Sequence, residues 1–486
     1  MHVARRLRVL GALLAMALIA GLVLLAVHPE LDPARLPPLA LVAAAWAAFA
    51  AGAWLVRGIP LRSAIAAIMI GGLAIQIAAL SAPPVQSDDL YRYIWDGRVQ
   101  AAGIDPYRYV PAAPQLSGLR EPFLWSAYGD HRYRHCIRPG TPDPVAPGVT
   151  LAAGCTRINR PTVPTIYPPV AEAYFLAVHY LAPAGSGSGP IQAAAAICAV
   201  LCTVLLLFGL RSAGQDPRRA VLWAWCPAAG LEAGNNAHVE ALTVILTASA
   251  MLVLGKAAGR RSSLAGGALL GLAIATRITP VLAGPAVLRR RWLAICSAAA
   301  SALVVVYLPH ILMVGPGVLG YLPRYLVAEG YGSGSRFGLI GVFVPGTAAT
   351  VVAAAVMAIA TLAVLRFTDP DRPWRGAMVL TATALAVTTP AYPWYALLLV
   401  TLVALDGRAE WLAFAAAAYY AGSPALGPFS ETRLGAERLG YGAAVLFVIA
   451  VSEARYIRAR RSRPPAAAAP AATLPGRAPA VGRTPA

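Results

Sequence analysis

Two adjacent carboxylates, Asp88 and Asp89, stand where a long apolar stretch gives way to a segment rich in charged and aromatic side chains. The apolar spacing from Leu90 to Gln100 predicts an amphipathic helix that follows the two aspartates. Carboxylates at the start of a helix lie at the positive end of its dipole, which stabilises their charge. A carboxylate fixed in this way can act as a general base that deprotonates an attacking hydroxyl group. We predict that one of the two aspartates is a catalytic base, and the sequence leaves open which one.

The apolar face of this predicted helix consists of Tyr91, Ile94, Trp95 and Val99. Because Tyr and Trp favour the membrane–water interface, the pattern predicts a helix that lies along the membrane surface. Arg92 and Arg98 take other faces of the helix. We expect these two arginines to stabilise a departing phosphate group or to brace the aspartates.

A second polar cluster interrupts the apolar run from Pro227 to Leu242. Ionisable residues at membrane depth are costly, so they are candidates for function. The alternative is a loop that is merely exposed to water, and a metal site is disfavoured because no single helical face aligns the histidine with both glutamates. The polar residues that we predict to bind a sugar or an acceptor are Tyr93, Asp96, Tyr107, Tyr167, Glu172, Glu232, Asn235, His238 and Glu240.

Further along the chain, Arg277 lies between two apolar segments. An arginine in this position can clamp a phosphate group or extend towards lipid headgroups, and the same alternatives apply to Arg324 and Arg336. An aromatic group follows in the sequence: Tyr392, Trp394 and Tyr395. These rings are predicted to form an interfacial belt or to stack on a sugar or an isoprenoid chain.

The elements that position these residues follow from the composition, which is 58% hydrophobic and only 13% charged, with a mean hydropathy of +0.63. Soluble domains carry about 25% charged residues, and several stretches approach the roughly 20 apolar residues that cross a bilayer as a helix. The predicted fold is an all-α polytopic membrane protein, a bundle of about 13 to 15 membrane helices with an outer loop that carries interface helices.

The net charge of +19 does not indicate nucleic-acid binding, because the arginines occur in short clusters between apolar runs, as at 289–291. That pattern predicts cytoplasmic loops and cytoplasmic termini in an inner membrane. Residues 1–463 are predicted to form the membrane domain, and residues 83–166 one large extracytoplasmic loop. Residues 464–486, rich in Ala and Pro, are predicted to be a disordered tail. The apolar stretch 167–183 breaks this alternation, which indicates a partial or re-entrant helix, or a miscounted short span.

Of the six cysteines, Cys136 and Cys155 share the large loop, and the other four lie in apolar segments. A disulfide between these two follows if the loop faces an oxidising compartment. Zinc binding is disfavoured because the loop lacks paired C-x-x-C spacing. No nucleotide-binding loop, nucleophile elbow or metalloprotease motif stands out, so these chemistries lack support.

Five motifs follow one another along the chain: DDLYRYIWDGRVQAAGIDPYRY, RPTVPTIYPPVAEAYF, EAGNNAHVE, ATRITP and PAYPWY. Together they resemble the GT-C superfamily of membrane glycosyltransferases, and within it the polyprenol-phosphate-mannose-dependent enzymes, including glycosyltransferase family 87. The resemblance implies inverting transfer of a sugar, mannose being expected, from a polyprenyl-phosphate donor to a lipid, glycan or protein acceptor outside the membrane. It places the base at Asp88 or Asp89.

Two features depart from that pattern. Three predicted spans precede the aspartates, and the loop has an unfamiliar insertion from Arg120 to Arg157.

The expected partners are the lipid-linked donor, the acceptor and membrane lipids. No cofactor is expected to be required, although paired acids allow a divalent cation. The alternative functions are a transporter or flippase of a lipid-linked glycan, which would have its sites near the bilayer midplane, and an assembly partner without catalysis.

Overall fold

The computed structural model describes residues 2–32, 34–130, 132–256, 259–423 and 430–461. The predicted tail, residues 464–486, lies outside the described residues. The described part of the chain is mostly helical. Its first eight helices are α1 (His2–Val27), α2 (Pro38–Val56), α3 (Leu61–Leu80), α4 (Asp89–Ala101), α5 (Pro169–Leu181), α6 (Gly189–Ser212), α7 (Val221–Ala224) and α8 (Glu240–Gly255). The others are α9 (Arg260–Ile274), α10 (Trp292–Val314), α11 (Leu322–Ala328), α12 (Thr347–Phe367), α13 (Pro373–Thr388), α14 (Leu397–Asp406), α15 (Ala413–Ala421) and α16 (Ser430–Arg461).

Seven helices among the described residues are long and apolar enough to cross a membrane. An eighth crossing results if the bent pair Ala229–Asn235 and Glu240–Gly255 forms one span. The predicted all-α polytopic fold class is confirmed. The predicted number of about 13 to 15 membrane helices exceeds the number that meets this criterion. The number is lower because α9, α13, α14 and α15 are only 15, 16, 10 and 9 residues long. In addition, Thr279–Val287 is a 3₁₀ helix of 9 residues, and the bent pair counts at most once.

Helix α14 shows why an apolar helix in this chain can be short. All of its residues are buried, and it packs against α7, α8 and α13. A helix that is apolar on every side is stable either when it is buried inside a protein or when it contacts lipid. Its apolar sequence therefore reflects a central position in the bundle.

The helix that contains the second polar cluster is broken. A π-helical segment, Ala229–Asn235, meets α8 at a bend of 120°. Such a break leaves backbone carbonyl groups without helical partners, which is costly at membrane depth unless other groups bind them. Gln76 on α3 donates to the carbonyl of Ala229 (3.0 Å), and Gln192 on α6 donates to that of Asn235 (2.7 Å). Two buried amides thus stabilise the break.

The long connection from α3 to α5 contains α4 and a small antiparallel sheet. Its strands are β1 (Trp125–Ser126), β2 (His135–Ile137) and β3 (Gly154–Thr156), in the order β1-β3-β2. Cys136 and Cys155 are register partners on β2 and β3, and the predicted disulfide joins them. The central strand β3 leads directly to residues 157–160, so the disulfide anchors the segment that approaches the start of α4.

The apolar face of α4 is buried inside the protein. Tyr91, Trp95 and Val99 are 6%, 1% and 3% exposed, Ile94 is partly buried in the same core, and the loop supplies aromatic partners. Tyr91 contacts Phe123 at 5.9 Å between ring centroids, and Trp95 contacts Trp125 at 5.4 Å. The prediction that these side chains hold the helix on the membrane surface was wrong, because amphipathic spacing alone does not distinguish a lipid from a protein neighbour.

Helix α5 occupies most of the apolar stretch 167–183. Its 13 residues extend about 20 Å at 1.5 Å per residue, less than the roughly 30 Å of a bilayer core. It packs against α4 instead, with Gly97 at the crossing. A Cβ atom on Gly97 would lie 2.5 Å from the carbonyl oxygen of Phe175, so only glycine permits this approach.

Removal of the disulfide tests how far it supports the sheet. The bridge closes a loop with a sequence separation of 19 residues, and cross-links over loops of this length contribute about 3 kcal/mol. We expect Cys136→Ser/Cys155→Ser to make residues 120–160 more sensitive to limited proteolysis. Cys296→Ser is the matched control, since Cys296 is free and exposed. Equal protease resistance of the double variant and the control would show that the sheet is stable without the bridge.

Candidate active site

Asp89 occupies the first position of α4 and lies beside the bend between the π-helical segment and α8. One of its carboxylate oxygens, Oδ1, accepts a hydrogen bond from the side-chain amide of Asn159. The other oxygen, Oδ2, lies 3.8 Å from Nδ1 of His238. The side chain is 16% exposed, so a small part of the carboxylate surface is open to a ligand.

The surroundings of Asp89 also set its affinity for protons. Burial raises the pKa of Asp89 above its ordinary value, while the positive charge of Arg277 and the hydrogen bond from Asn159 act in the opposite direction. A base with a raised pKa is a better proton acceptor at neutral pH, which is the adjustment that general-base catalysis requires.

The adjacent Asp88 has different neighbours. Its Oδ2 atom lies 3.2 Å from Nε2 of His135 on β2 and 3.7 Å from the guanidinium of Arg134. His135 is the first residue of β2, and Arg134 directly precedes it. The two aspartates, which sequence alone cannot rank, are thus separated by the structure: Asp88 contacts the loop, and Asp89 faces the polar cluster of the membrane helices.

The bend assembles the second polar cluster around His238. Its Nε2 atom lies 3.5 Å from Oε2 of Glu232, and both side chains are fully buried. The hydroxyl of Tyr419 donates to Glu232 (2.6 Å), as does the side-chain amide of Asn236 (3.3 Å). The imidazole stacks on Trp394 with 4.1 Å between centroids. A regular helix could not bring these side chains together, and the break does.

Arg277 and Glu240 form a buried ion pair next to Asp89. Nε of Arg277 lies 2.8 Å from Oε1 of Glu240, and the side chains are 14% and 5% exposed. The guanidinium also lies 5.5 Å from the ring centroids of both Tyr167 and Tyr395. Such cation–π contacts strengthen when water is excluded, so the guanidinium is held in one place.

The connection from α10 to α12 covers this group. The hydroxyls of Tyr325 and Tyr395 are 2.7 Å apart. Arg336 donates to Glu329 at 2.8 Å, and Arg160 lies 3.8 Å from the same carboxylate. Arg160 is 47% exposed, so its charge remains available to an incoming anion.

Tyr392 also reaches this carboxylate: its hydroxyl donates to Glu329 at 3.5 Å. Its ring lies 5.0 Å from that of Trp394 and 5.7 Å from that of Tyr395, between centroids. The three predicted aromatic residues therefore form one group beside Arg277 and His238.

Backbone strain is concentrated near the same group. Arg160, Ala237 and Thr389 have φ values of 48°, 54° and 37°, in the left-handed region that non-glycine residues rarely adopt. Each adjoins a segment that supplies a side chain to the cluster. Strain of this kind persists where the surrounding structure enforces it, and it is common at functional sites.

Several predicted site residues lie elsewhere. Arg92 forms a buried ion pair with Asp96 (2.9 Å) and does not reach the aspartates. Glu172 accepts hydrogen bonds from Thr165 (2.7 Å) and Gln100 (2.9 Å). Burial and the nearby charge of Asp96 raise the pKa of Glu172. These groups link α4 to α5 and so fix the helix that begins with Asp89.

The remaining predicted residues have structural partners. Arg98 pairs with Glu121, and Arg324 is exposed and donates to the carbonyl of Pro144 at 3.2 Å. Tyr93 is buried and stacks on Phe175 (4.3 Å), and Tyr107 donates to the carbonyl of Tyr167 (2.6 Å). The structure does not bring Arg98, Tyr107 or Arg324 to the carboxylate of Asp89. Tyr93 lies close enough to Asp89, Glu240 and Arg277 for their charges to act on its hydroxyl.

Asn235 supports the chain segment that leads to the aspartates. Its side-chain amide donates to the carbonyls of Ala79, Ala82 and Pro83 and accepts from the N–H of Val85, at 3.0 to 3.2 Å. Its side chain therefore holds the residues at and just after the end of α3. The predicted contact with a sugar has no support from this geometry.

Six residues of the cluster were not predicted from the sequence: Asn159, Arg160, Asn236, Tyr325, Glu329 and Tyr419. They come from the loop after β3, from the end of the π-helical segment, from α11 and its end, and from α15. Arg160 and Asn236 lie in the motifs RPTVPTIYPPVAEAYF and EAGNNAHVE, which were the available signal, but neither residue was given a role.

Among the described residues, no group of three or more His, Cys, Asp or Glu side chains could hold a metal ion. The predicted cluster of Glu232, His238 and Glu240 is instead divided, because Glu240 pairs with Arg277.

The model of glycosyltransferase family 87 matches residues 165–390. The chain is similar to glycosyltransferase family 87. The resemblance predicted from the sequence is confirmed, and the match, which covers just under half of the chain, indicates a membrane glycosyltransferase. No curated protein and no solved structure matches the chain.

The matched region supplies one side of the candidate site. It contains Tyr167, Glu232, His238, Glu240 and Arg277, among others. It begins after the two aspartates and ends before the aromatic residues 392–395. The case for a base in the first large loop therefore depends on the contacts of Asp89 with the matched region.

Proposed function

We propose that the protein transfers a sugar, mannose being expected, from a polyprenyl-phosphate donor to a hydroxyl group of a lipid, glycan or protein acceptor. The observation that carries this proposal is the position of Asp89, a partly open carboxylate beside His238 and Arg277 of the region that matches family 87. A base, cationic groups and aromatic rings at one place are the parts that such a transfer needs.

In the proposed reaction, Asp89 accepts the proton of the acceptor hydroxyl as its oxygen attacks the anomeric carbon of the donor. The bond from that carbon to the phosphate oxygen breaks, and polyprenyl phosphate leaves. A single displacement of this kind inverts the anomeric configuration. Arg160, which is half-exposed, and Arg277 are placed to stabilise the phosphate charge. Arg92 and Arg98 have other partners.

The charge pattern supports an orientation for this site. The arginine clusters between spans indicate cytoplasmic loops, and the disulfide in the loop with the aspartates favours an oxidising compartment. We therefore propose that the active site faces the extracytoplasmic side of an inner membrane. A membrane domain of residues 1–463 fits this arrangement.

The direct test incubates purified protein with polyprenyl-phosphate mannose, polyprenyl-phosphate glucose or GDP-mannose, and with hydroxyl acceptors, with and without EDTA. We expect a glycosylated acceptor and free polyprenyl phosphate in equal amounts with a lipid-linked donor. Transfer from the nucleotide sugar alone would contradict the proposed donor class. Translocation of the lipid-linked sugar across liposomes without any transfer would favour a flippase. Loss of transfer in EDTA would establish a need for a divalent cation.

A further inference from the structure

His238 lies between two carboxylates, and its side chain is fully buried. Its Nδ1 atom faces Asp89 at 3.8 Å and its Nε2 atom faces Glu232 at 3.5 Å. Neither ring nitrogen has a hydrogen-bond partner among the described residues. Leaving both nitrogens of a buried imidazole unpaired costs free energy, so a slight approach of either carboxylate is favourable.

The ring has no freedom to turn away from these carboxylates. Trp394 covers one face in a near-parallel stack, with 22° between the ring planes. The backbone N–H of His238 donates to the carbonyl of Glu232 at 2.8 Å, which fixes the residue in the bend. Ring stacking and backbone pairing together favour the orientation in which Nδ1 faces Asp89 and Nε2 faces Glu232.

Glu232 is the carboxylate that can receive a proton from Nε2 of His238. Tyr419 donates to its Oε1 atom, and Oε2 faces the histidine with only a long contact from Asn236. Besides Asp89 and Glu232, the charged groups near His238 are Arg277 and Glu240, which form an ion pair with each other. A carboxylate with one oxygen occupied by a donor and one directed at an imidazole is a suitable proton acceptor.

We propose that His238 and Glu232 form a proton relay behind Asp89. This inference rests on the proposed function. After Asp89 has taken the proton of the acceptor hydroxyl, it passes that proton to Nδ1 of His238. The proton on Nε2 moves to Oε2 of Glu232. Asp89 is again a carboxylate, and one proton has moved without any change in total charge. When the products leave, the proton returns by the same route to water at the open side of Asp89.

The test compares His238→Gln, Glu232→Gln and the double variant in the transfer assay, with separate measurement of kcat and of KM for the donor. Positioned proton transfer contributes roughly 100- to 10,000-fold to a rate, and a relay behind the base should supply a part of this. We expect each single variant to lower kcat about 10- to 100-fold with KM little changed. Because both act in one relay, the double variant should be no slower than the slower single variant.

Two controls separate a relay from a structural role. His310→Gln removes a histidine whose Nδ1 atom pairs with Asp105 at 2.7 Å, away from Asp89, and it should leave kcat unchanged. The thermal unfolding midpoint of each variant in detergent shows whether the protein is folded. If His238→Gln does not fold, Glu232→Gln alone decides, because it keeps the shape of the side chain.

The outcomes are distinguishable from those of the proposed function. Full kcat in folded His238→Gln or Glu232→Gln would overturn the relay, and so would losses that multiply in the double variant. If the wild-type protein transfers sugar and Asp89→Asn does not, the proposed function stands in either case. If the wild-type protein transfers nothing from any donor, the proposed function itself fails.

Discussion

Asp89→Asn should abolish sugar transfer while the protein still inserts and folds. The substitution preserves the size of the side chain and can still accept a hydrogen bond from Asn159, but an amide cannot take a proton from the acceptor hydroxyl. Loss of a positioned base lowers rates by about 100- to 10,000-fold. The measurement is kcat in the transfer assay, together with the unfolding midpoint in detergent.

Asp88→Asn is the matched control for this prediction. Asp88 contacts His135 and Arg134 of the large loop, so its loss should leave most of the activity intact. Normal transfer by Asp89→Asn combined with inactivity of Asp88→Asn would assign the base to Asp88 and would refute the present assignment.

The same residue predicts the acid side of the pH profile. Burial raises the pKa of Asp89, and only its ionised form can act as a base. Activity should therefore fall as the pH decreases through a value above the ordinary range of aspartate, about 3.9.

Arg277→Gln should cause the second large loss, in stability as well as in activity. It leaves Glu240 as an uncompensated charge in a buried position, and breaking a buried ion pair in this way costs about 3–5 kcal/mol. It also removes a cation from the proposed phosphate position. We expect a lower unfolding midpoint in detergent and little transfer.

A double variant separates the two effects. Arg277→Met/Glu240→Gln removes both charges and should recover much of the stability, since no unpaired charge remains, while activity stays low. Arg375→Gln is the control, because it breaks a pair with Asp406 at the far end of α14 (3.0 Å) and should not lower kcat. Recovery of activity together with stability in the double variant would show that Arg277 has no direct part in transfer.

The sequence was most informative where the structural role of a residue does not depend on residues far away in the chain. Apolar stretches predict membrane helices because the bilayer imposes the same length and the same backbone pairing on every span. The two cysteines of the loop predicted a disulfide on condition that the loop faces an oxidising compartment, and the structure contains that disulfide. The central helix α14 was predicted as a span for a related reason: a helix surrounded by protein and one surrounded by lipid are equally apolar.

The site was only partly predictable because its residues meet through a break in a helix. Glu232 and Glu240 do not share a helical face with His238, so a regular helix offered no common site. The π-helical segment and the bend of 120° create one, and no residue pattern announces that angle. Conversely, Arg92 and Arg98 stand close to the aspartates in sequence, but helical geometry turns them towards Asp96 and Glu121.

The burial of α4 has a practical consequence for biochemistry on this protein. Its aromatic side chains contact Phe123 and Trp125, so the orientation of Asp89 is set by the folded chain and not by lipid headgroups. The orientation of α4 and of Asp89 should consequently depend little on headgroup composition. Detergent micelles are therefore a suitable medium for kinetic work on this protein.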